Sequence, residues 1–192
     1  NGRPTASIFE SALAINSTTA NQEIREQLLN CSSRVIPSNQ IPIEIRQQFL
    51  TLTSDEIAKQ LSYAPKDARM YVLGGTFMNN IGQYKEAAAL LEKGLELSPH
   101  KQSIIFELVT SYLNLGNSND KAIELIKEAY NSSPDSEEAK LAYATTLLTA
   151  GKESQAKELF KDNPGALVSP QIAQVYINKK QYNKAIEIFK TL

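Results

Sequence analysis

The sequence predicts an all-α fold in which antiparallel helical hairpins stack side by side as an α-solenoid. Apolar residues recur at three- and four-residue spacing in one segment after another, which is the period of amphipathic helices. Pro65, Pro99 and Pro134 lie 34 and 35 residues apart, so the pattern itself repeats. Between these prolines the same few landmark residues return in the same order.

Gly82-Gln83-Tyr84-Lys85-Glu86-Ala87 runs on to Leu95-Glu96-Leu97-Ser98-Pro99, and Gly116 through Ala122 runs on to Ala129-Tyr130 and Ser133-Pro134. A third copy carries Gly151, Ala156 and Phe160, and a fourth carries Tyr182, Ala185, Ile186 and Phe189. Each landmark has a physical task. The three glycines follow apolar runs and suit the left-handed conformation that ends a helix. A small residue shortly afterwards (Ala87, Ala122, Ala156, Ala185) lets the second helix of a hairpin lie close to the first. Large residues four positions on (Leu91, Ile126, Phe160, Phe189) share that face and fill the space between hairpins. Proline then marks a boundary, because it lacks an amide donor and disfavours helix in the residue before it. A single hairpin cannot bury its own apolar face, so neighbours must stack.

Read in order, the regular helices are expected at Ala68–Asn80, Gln83–Leu97, Gln102–Asn114, Asn119–Ser132, Ser136–Ala150, Glu153–Asp162, Pro170–Lys179 and Tyr182–Leu192. Gly74-Gly75 falls mid-helix, where small residues permit close helix approach. Upstream, Ser7 to Asn16 reads as the second helix of a hairpin without its first. A helix from Asn21 carries Ile24, Leu28, Leu29 and Val35; Pro37–Pro42 is a loop. A long helical stretch then runs from Ile43 to Tyr63, with Thr53-Ser54-Asp55-Glu56 as an alternative helix start. The expected organisation is residues 1–67 as a half repeat plus an enlarged irregular repeat, and residues 68–192 as four repeats. The third of these is shortened by the turn-rich segment near 163–170, which acts either as a hinge or as a fixed kink. The opening Asn1-Gly2-Arg3-Pro4, without an initiator Met or signal peptide, reads as the start of a piece of a longer protein.

Composition narrows the function classes. Hydrophobic residues make up 42% and charged residues 21%, ordinary for a folded chain. A net charge of −1 with interleaved signs lacks the basic surplus that nucleic-acid binding requires. No stretch approaches the roughly 20 apolar residues that span a bilayer. His100 is the only histidine and falls in the turn after Pro99, a solvated position. Cys31 is the only cysteine and sits in a helical pattern, where it reads as a small apolar side chain rather than a reactive thiol. A zinc site would need several Cys or His ligands, and no Ser-His-Asp or Cys-His arrangement stands out in the sequence around His100, so no catalytic residue, cofactor or metal is expected.

The landmarks resemble the tetratricopeptide repeat family over residues 68–192, and less closely over residues 1–67. That resemblance implies a right-handed superhelix whose first helices line a concave groove for a peptide or protein segment. Mapped onto this chain, the groove face carries Val72, Thr76 and Asn79, then Phe106, Thr110 and Leu113, then Leu141, Thr145 and Leu148, and finally Gln174 and Ile177. This face has little charge. Relatives that grip a C-terminal carboxylate carry Lys, Arg and Asn at several of these points, where Val72, Thr76, Thr110 and Ala142 stand here. Phe106, Leu113, Leu141 and Leu148 offer an apolar stripe to a partner, or pack against the neighbouring helix. Asn80, Asn114 and Asn178 recur at first-helix ends, either to bond a peptide backbone or to end the helix.

A narrower resemblance lies in the order of the N-terminal features. Phe9-Glu10-Ser11-Ala12-Leu13-Ala14-Ile15-Asn16, then Asn21-Gln22-Glu23-Ile24-Arg25-Glu26-Gln27-Leu28, is similar to the soluble tail of bacterial O-antigen ligase/polymerase-like membrane proteins. It implies an accessory domain at the cell envelope, tethered to upstream membrane spans. At the other end, Ile186, Ile188 and Phe189 are expected to be exposed unless something covers them, which makes the last helix a candidate dimer contact.

Overall fold

The computed structural model describes residues 5–15 and 19–192; Asn1–Pro4 and Asn16–Thr18 lie outside the described residues. Among the described residues the elements are α1 (Ser7–Ile15), α2 (Thr19–Val35), α3 (Ile43–Tyr63), α4 (Ala68–Asn80), α5 (Tyr84–Leu97), α6 (Gln102–Leu115), α7 (Asn119–Ser132), α8 (Glu137–Thr149), α9 (Glu153–Leu159), α10 (Pro170–Asn178) and α11 (Tyr182–Thr191). A short 3₁₀ turn, Pro164–Leu167, follows α9, and no strand is present among those residues. The fold is all-α, as the periodicity requires. The chain divides into two compact units, Asn1–Ser111 and Tyr112–Leu192.

Local chemistry sets the helix ends. Asp67 caps α4 by accepting hydrogen bonds from the amides of Arg69 (3.1 Å) and Met70 (3.3 Å). Ser136 caps α8 through the Ala139 amide, and Ser169 caps α10 through the Ile172 amide with Pro170 in the first turn. At the C-terminal ends, Gly82, Gly116 and Gly151 have φ of 78°, 75° and 80°. At Gly82 and Gly151 the reversal is closed by two backbone bonds, such as Gly82 N–H to Asn79 C=O and Gln83 N–H to Met78 C=O. The fourth hairpin makes the same pair of bonds without a glycine. There Lys180 takes φ 59°, its amide donates to Ile177 C=O and the Gln181 amide donates to Tyr176 C=O.

Lys180→Gly is therefore expected to stabilise the chain by about 1 kcal/mol, because the left-handed conformation strains a residue with a Cβ and not glycine. Urea unfolding monitored by circular dichroism checks the sign; an equal loss of stability would place the side chain's own contacts above the backbone strain.

In the first unit, α1, α2 and α3 enclose a cluster of Ala6, Leu28, Val35 and Phe49, with Phe9 and Cys31 packed against it. A second cluster, Leu29, Ile57, Met70 and Phe77, joins α2, α3 and α4. α3 is unbroken through Thr53, so the alternative helix start there is not used. Thr53 is buried and its hydroxyl shares a 2.6 Å hydrogen bond with Ser32 of α2, which leaves it no role as a cap. The α2–α3 contact also holds a buried charge. Glu56 accepts hydrogen bonds from Arg25 and Lys59. Burial alone would push its carboxyl up, but these two cations prevail and hold it below the ordinary carboxylate range.

In the second unit, Ala144, Leu147, Leu148, Ala156, Phe160 and Ile172 form the core. Ala122, Ala156 and Ala185, the predicted close-approach positions, are all buried, as is Ala87 in the first unit. α9 stops at Leu159, earlier than the expected Asp162, and Phe160 leaves the helix while staying buried. On α11, Ile186 and Phe189 are exposed as expected, whereas Ile188 is half-buried against the core.

Candidate interaction site

Side-by-side first helices position the candidate residues. In the first unit these helices are α4 and α6, and Asn79 ties them together. Its side-chain amide donates to the Glu107 carbonyl and to the Glu107 carboxylate, each at 2.9 Å, and its Oδ1 accepts from the Ser111 hydroxyl at 2.8 Å. Asn79 is buried, so its hydrogen-bonding capacity is spent within the fold. Val72, Thr76 and Phe106 are half-buried and Thr110 is exposed, its hydroxyl donating to the Phe106 carbonyl. These four present a neutral surface of mixed apolar and hydroxyl character.

In the second unit the first helices are α8 and α10. Leu148 is 5% exposed and belongs to the core, so the packing alternative holds for it. Leu141 is half-buried and packs against the same core. Leu113, Thr145 and Ile177 are half-buried, with the Thr145 hydroxyl donating to the Ala142 carbonyl. Gln174 is exposed and its amide donates to Asn178 in the last turn of α10.

Two lysines that the sequence did not single out organise this unit. Lys179 donates from Nζ to the carbonyls of Leu148 (2.9 Å) and Thr149 (3.1 Å), closing the C-terminal end of α8 with a cation. Lys184 of α11 donates to Glu153 of α9 at 2.7 Å and lies over the Tyr176 ring, 5.0 Å from its centroid. Only the sequence spacing of 31 residues between these partners hinted at such links between successive repeats.

The residues that would carry other chemistry are placed apart from one another. His100 is exposed in the turn before α6, and Cys31 packs into the first cluster. Burial pushes the Cys31 thiol up, against a partial offset from Arg34, so it is a poorer nucleophile than a free thiol. Among the described residues no cluster of three or more His, Cys, Asp or Glu side chains is arranged to hold a metal ion. Among those residues no helix is long and apolar enough to cross a membrane.

Two family profiles of the tetratricopeptide repeat match the chain, one over residues 117–168 and the other over residues 68–101 and 171–192. The chain is a tetratricopeptide-repeat protein. Solved structures share its fold. The chain is similar to MamA MSR-1, with 18% identity, 91% of this chain and 90% of that chain covered, and a TM-score of 0.53. It is also similar to MamA AMB-1, with 19% identity, 81% and 87% covered, and a TM-score of 0.51. No curated protein matches the chain. Tetratricopeptide repeats support a role in protein–protein interaction.

Proposed function

We propose that this tetratricopeptide-repeat protein is a non-catalytic scaffold that holds a peptide or protein segment against the first helices of its repeats. Residues 1–67 contribute a half repeat and an enlarged repeat, and residues 68–192 contribute four. The observation that carries this reading is the accessible, uncharged character of the faces formed by Val72, Thr76, Phe106 and Thr110 in the first unit and by Leu113, Thr145, Gln174 and Ile177 in the second. Half-buried apolar groups supply contact area, and hydroxyl and amide groups beside them fix a partner's orientation. Asn79 and Leu148 act beneath these faces, as supports.

A peptide-display selection against the intact chain tests this. Binders are expected to lose about tenfold or more in affinity on Phe106→Glu or Ile177→Glu, with little change between low and physiological salt because the faces carry no net charge to screen. Unchanged binding by both variants, with wild-type circular dichroism, rejects these faces as the site. Ile177 is the better choice in the second unit because Leu141 packs against the core and its loss would disturb folding.

A second reading, an accessory domain tethered to a membrane-embedded cell-envelope polysaccharide ligase or polymerase, is favoured by the order of α1 and α2 ahead of the long α3. Hydrophobic spans encoded immediately upstream would support it, and a start codon near Asn1 would remove it. Either form could pair through α11, where Tyr182, Ile186 and Phe189 share one exposed face at 56%, 49% and 53% exposure. Sedimentation over a wide concentration range is expected to show reversible dimers that Ile186→Glu abolishes; a monomer throughout rejects the contact.

A further inference from the structure

We propose that the second unit carries a binding pocket separate from its first-helix faces, which takes a helical turn of a protein partner bearing two apolar side chains and an acidic residue. The pocket holds about 340 Å³ between α8, α9, α10 and α11, within the range of sites that accept a few side chains. Its apolar wall comes from Leu148, Leu167, Val168, Ile172, Tyr176 and Ile188.

The pocket exists because α9 is short. α5 and α7, the corresponding second helices, run 14 residues each, whereas α9 runs 7. The chain leaves the helix after Leu159 and passes through the turn Pro164–Leu167 before α10 begins. Leu167 and Val168 are only half-buried where they line the cavity, so this detour does not close it. α9 lacks about two helical turns beside the packed α10 and α11, and the ridges of a helix, at one-turn spacing, suit the grooves between such helices. A helix is therefore the occupant that the walls fit.

The rim carries charges of both signs. Glu153 accepts from Lys184 at 2.7 Å and pairs with Lys157 at 3.0 Å. The Lys184 hydrogen bond, with that of Lys157 behind it, holds the Glu153 carboxyl below the ordinary carboxylate range. Glu187 also lines the cavity and lies in the field of Lys184. Lys157, 66% exposed against 43% for Lys184, is the more accessible rim cation and has donors left for a partner. Because the four charges cancel overall, a partner carboxylate at Lys157 selects orientation more than it adds affinity.

The test uses the intact, isotope-labelled chain and an alanine-based helical peptide of about 15 residues with two leucines one turn apart and a glutamate one turn before them. Saturable amide shifts are expected at Tyr176, Ile188 and Thr191, absent with a peptide whose leucines are alanines. Thr191→Trp fills the mouth from an exposed position and is expected to cost about tenfold or more in affinity. Lys157→Glu is expected to weaken binding several-fold, and a peptide with lysine in place of its glutamate to restore it. Failure of the peptide to shift those three residues near saturating concentration overturns the proposal. So does binding that survives Thr191→Trp, including binding lost instead on Phe106→Glu or Ile177→Glu, which would place the peptide on the first-helix faces.

Discussion

Replacing Phe49 with alanine is expected to destabilise the chain by about 3–5 kcal/mol, the cost of emptying a well-packed aromatic site. Phe49 is fully buried where α1, α2 and α3 meet, among Ala6, Leu28 and Val35. The Phe9 ring meets it edge-on, with centroids 6.2 Å apart and planes at 74°, an arrangement favoured by the aromatic quadrupole. Three separate helices would have to move together to refill the void, and the Ser32–Thr53 hydrogen bond holds two of them in register. Phe49→Leu, which keeps most of the volume, is expected to cost far less. Urea unfolding of both variants measures the difference; a loss below about 1.5 kcal/mol for the alanine variant would mean that the cluster collapses freely around the gap.

Gly75→Ala is expected to destabilise by about 1–3 kcal/mol, although alanine is the better helix former by about 1 kcal/mol. The two effects have opposite signs, and the contact decides. A Cβ built on Gly75 would lie 2.4 Å from Leu91 Cγ and 2.7 Å from its Cδ2. Leu91 is fully buried on α5, and the clash falls on its Cγ rather than only on the far end of its side chain. Gly74→Ala is the internal control, since its Cβ would come only to 3.2 Å from Leu90 Cδ1 and 3.3 Å from Ile57 Cγ2. Its cost is expected to be much smaller. Leu91→Ala is itself costly, by about 2–5 kcal/mol, but in that background Gly75→Ala should cost far less than in the wild type, so the double-mutant cycle should show strong coupling. A stabilised Gly75→Ala variant would mean that α4 and α5 separate at little cost.

The sequence by itself determined the helices and their repeat. α4 and α7 begin and end at the residues that the pattern of apolar positions and turn formers indicated, and α5, α6, α8, α10 and α11 differ from expectation by one residue at an end or at both. Such boundaries are local events. They depend on which backbone angles a glycine, proline or serine permits within one turn, and that information is carried by neighbouring residues in the chain. Gly75 was legible for the same reason, because a mid-helix glycine costs helix stability and is tolerated where something packs closely against it.

Only the tertiary structure decided which members of a helical face are covered. Phe189 repeats the position of Leu91 and Ile126, yet it is 53% exposed while they are buried. Asn79 and Leu148 repeat the pattern of the candidate partner-facing residues, yet Asn79 joins α4 to α6 and Leu148 enters a core. Lys180 adopts the conformation of the three turn glycines because the backbone bonds closing its hairpin require it. Periodicity fixes the direction in which a side chain leaves its helix, but burial and strain depend on where another helix comes to rest. That placement depends on residues about one repeat away, as the contacts of Lys179 and Lys184 show.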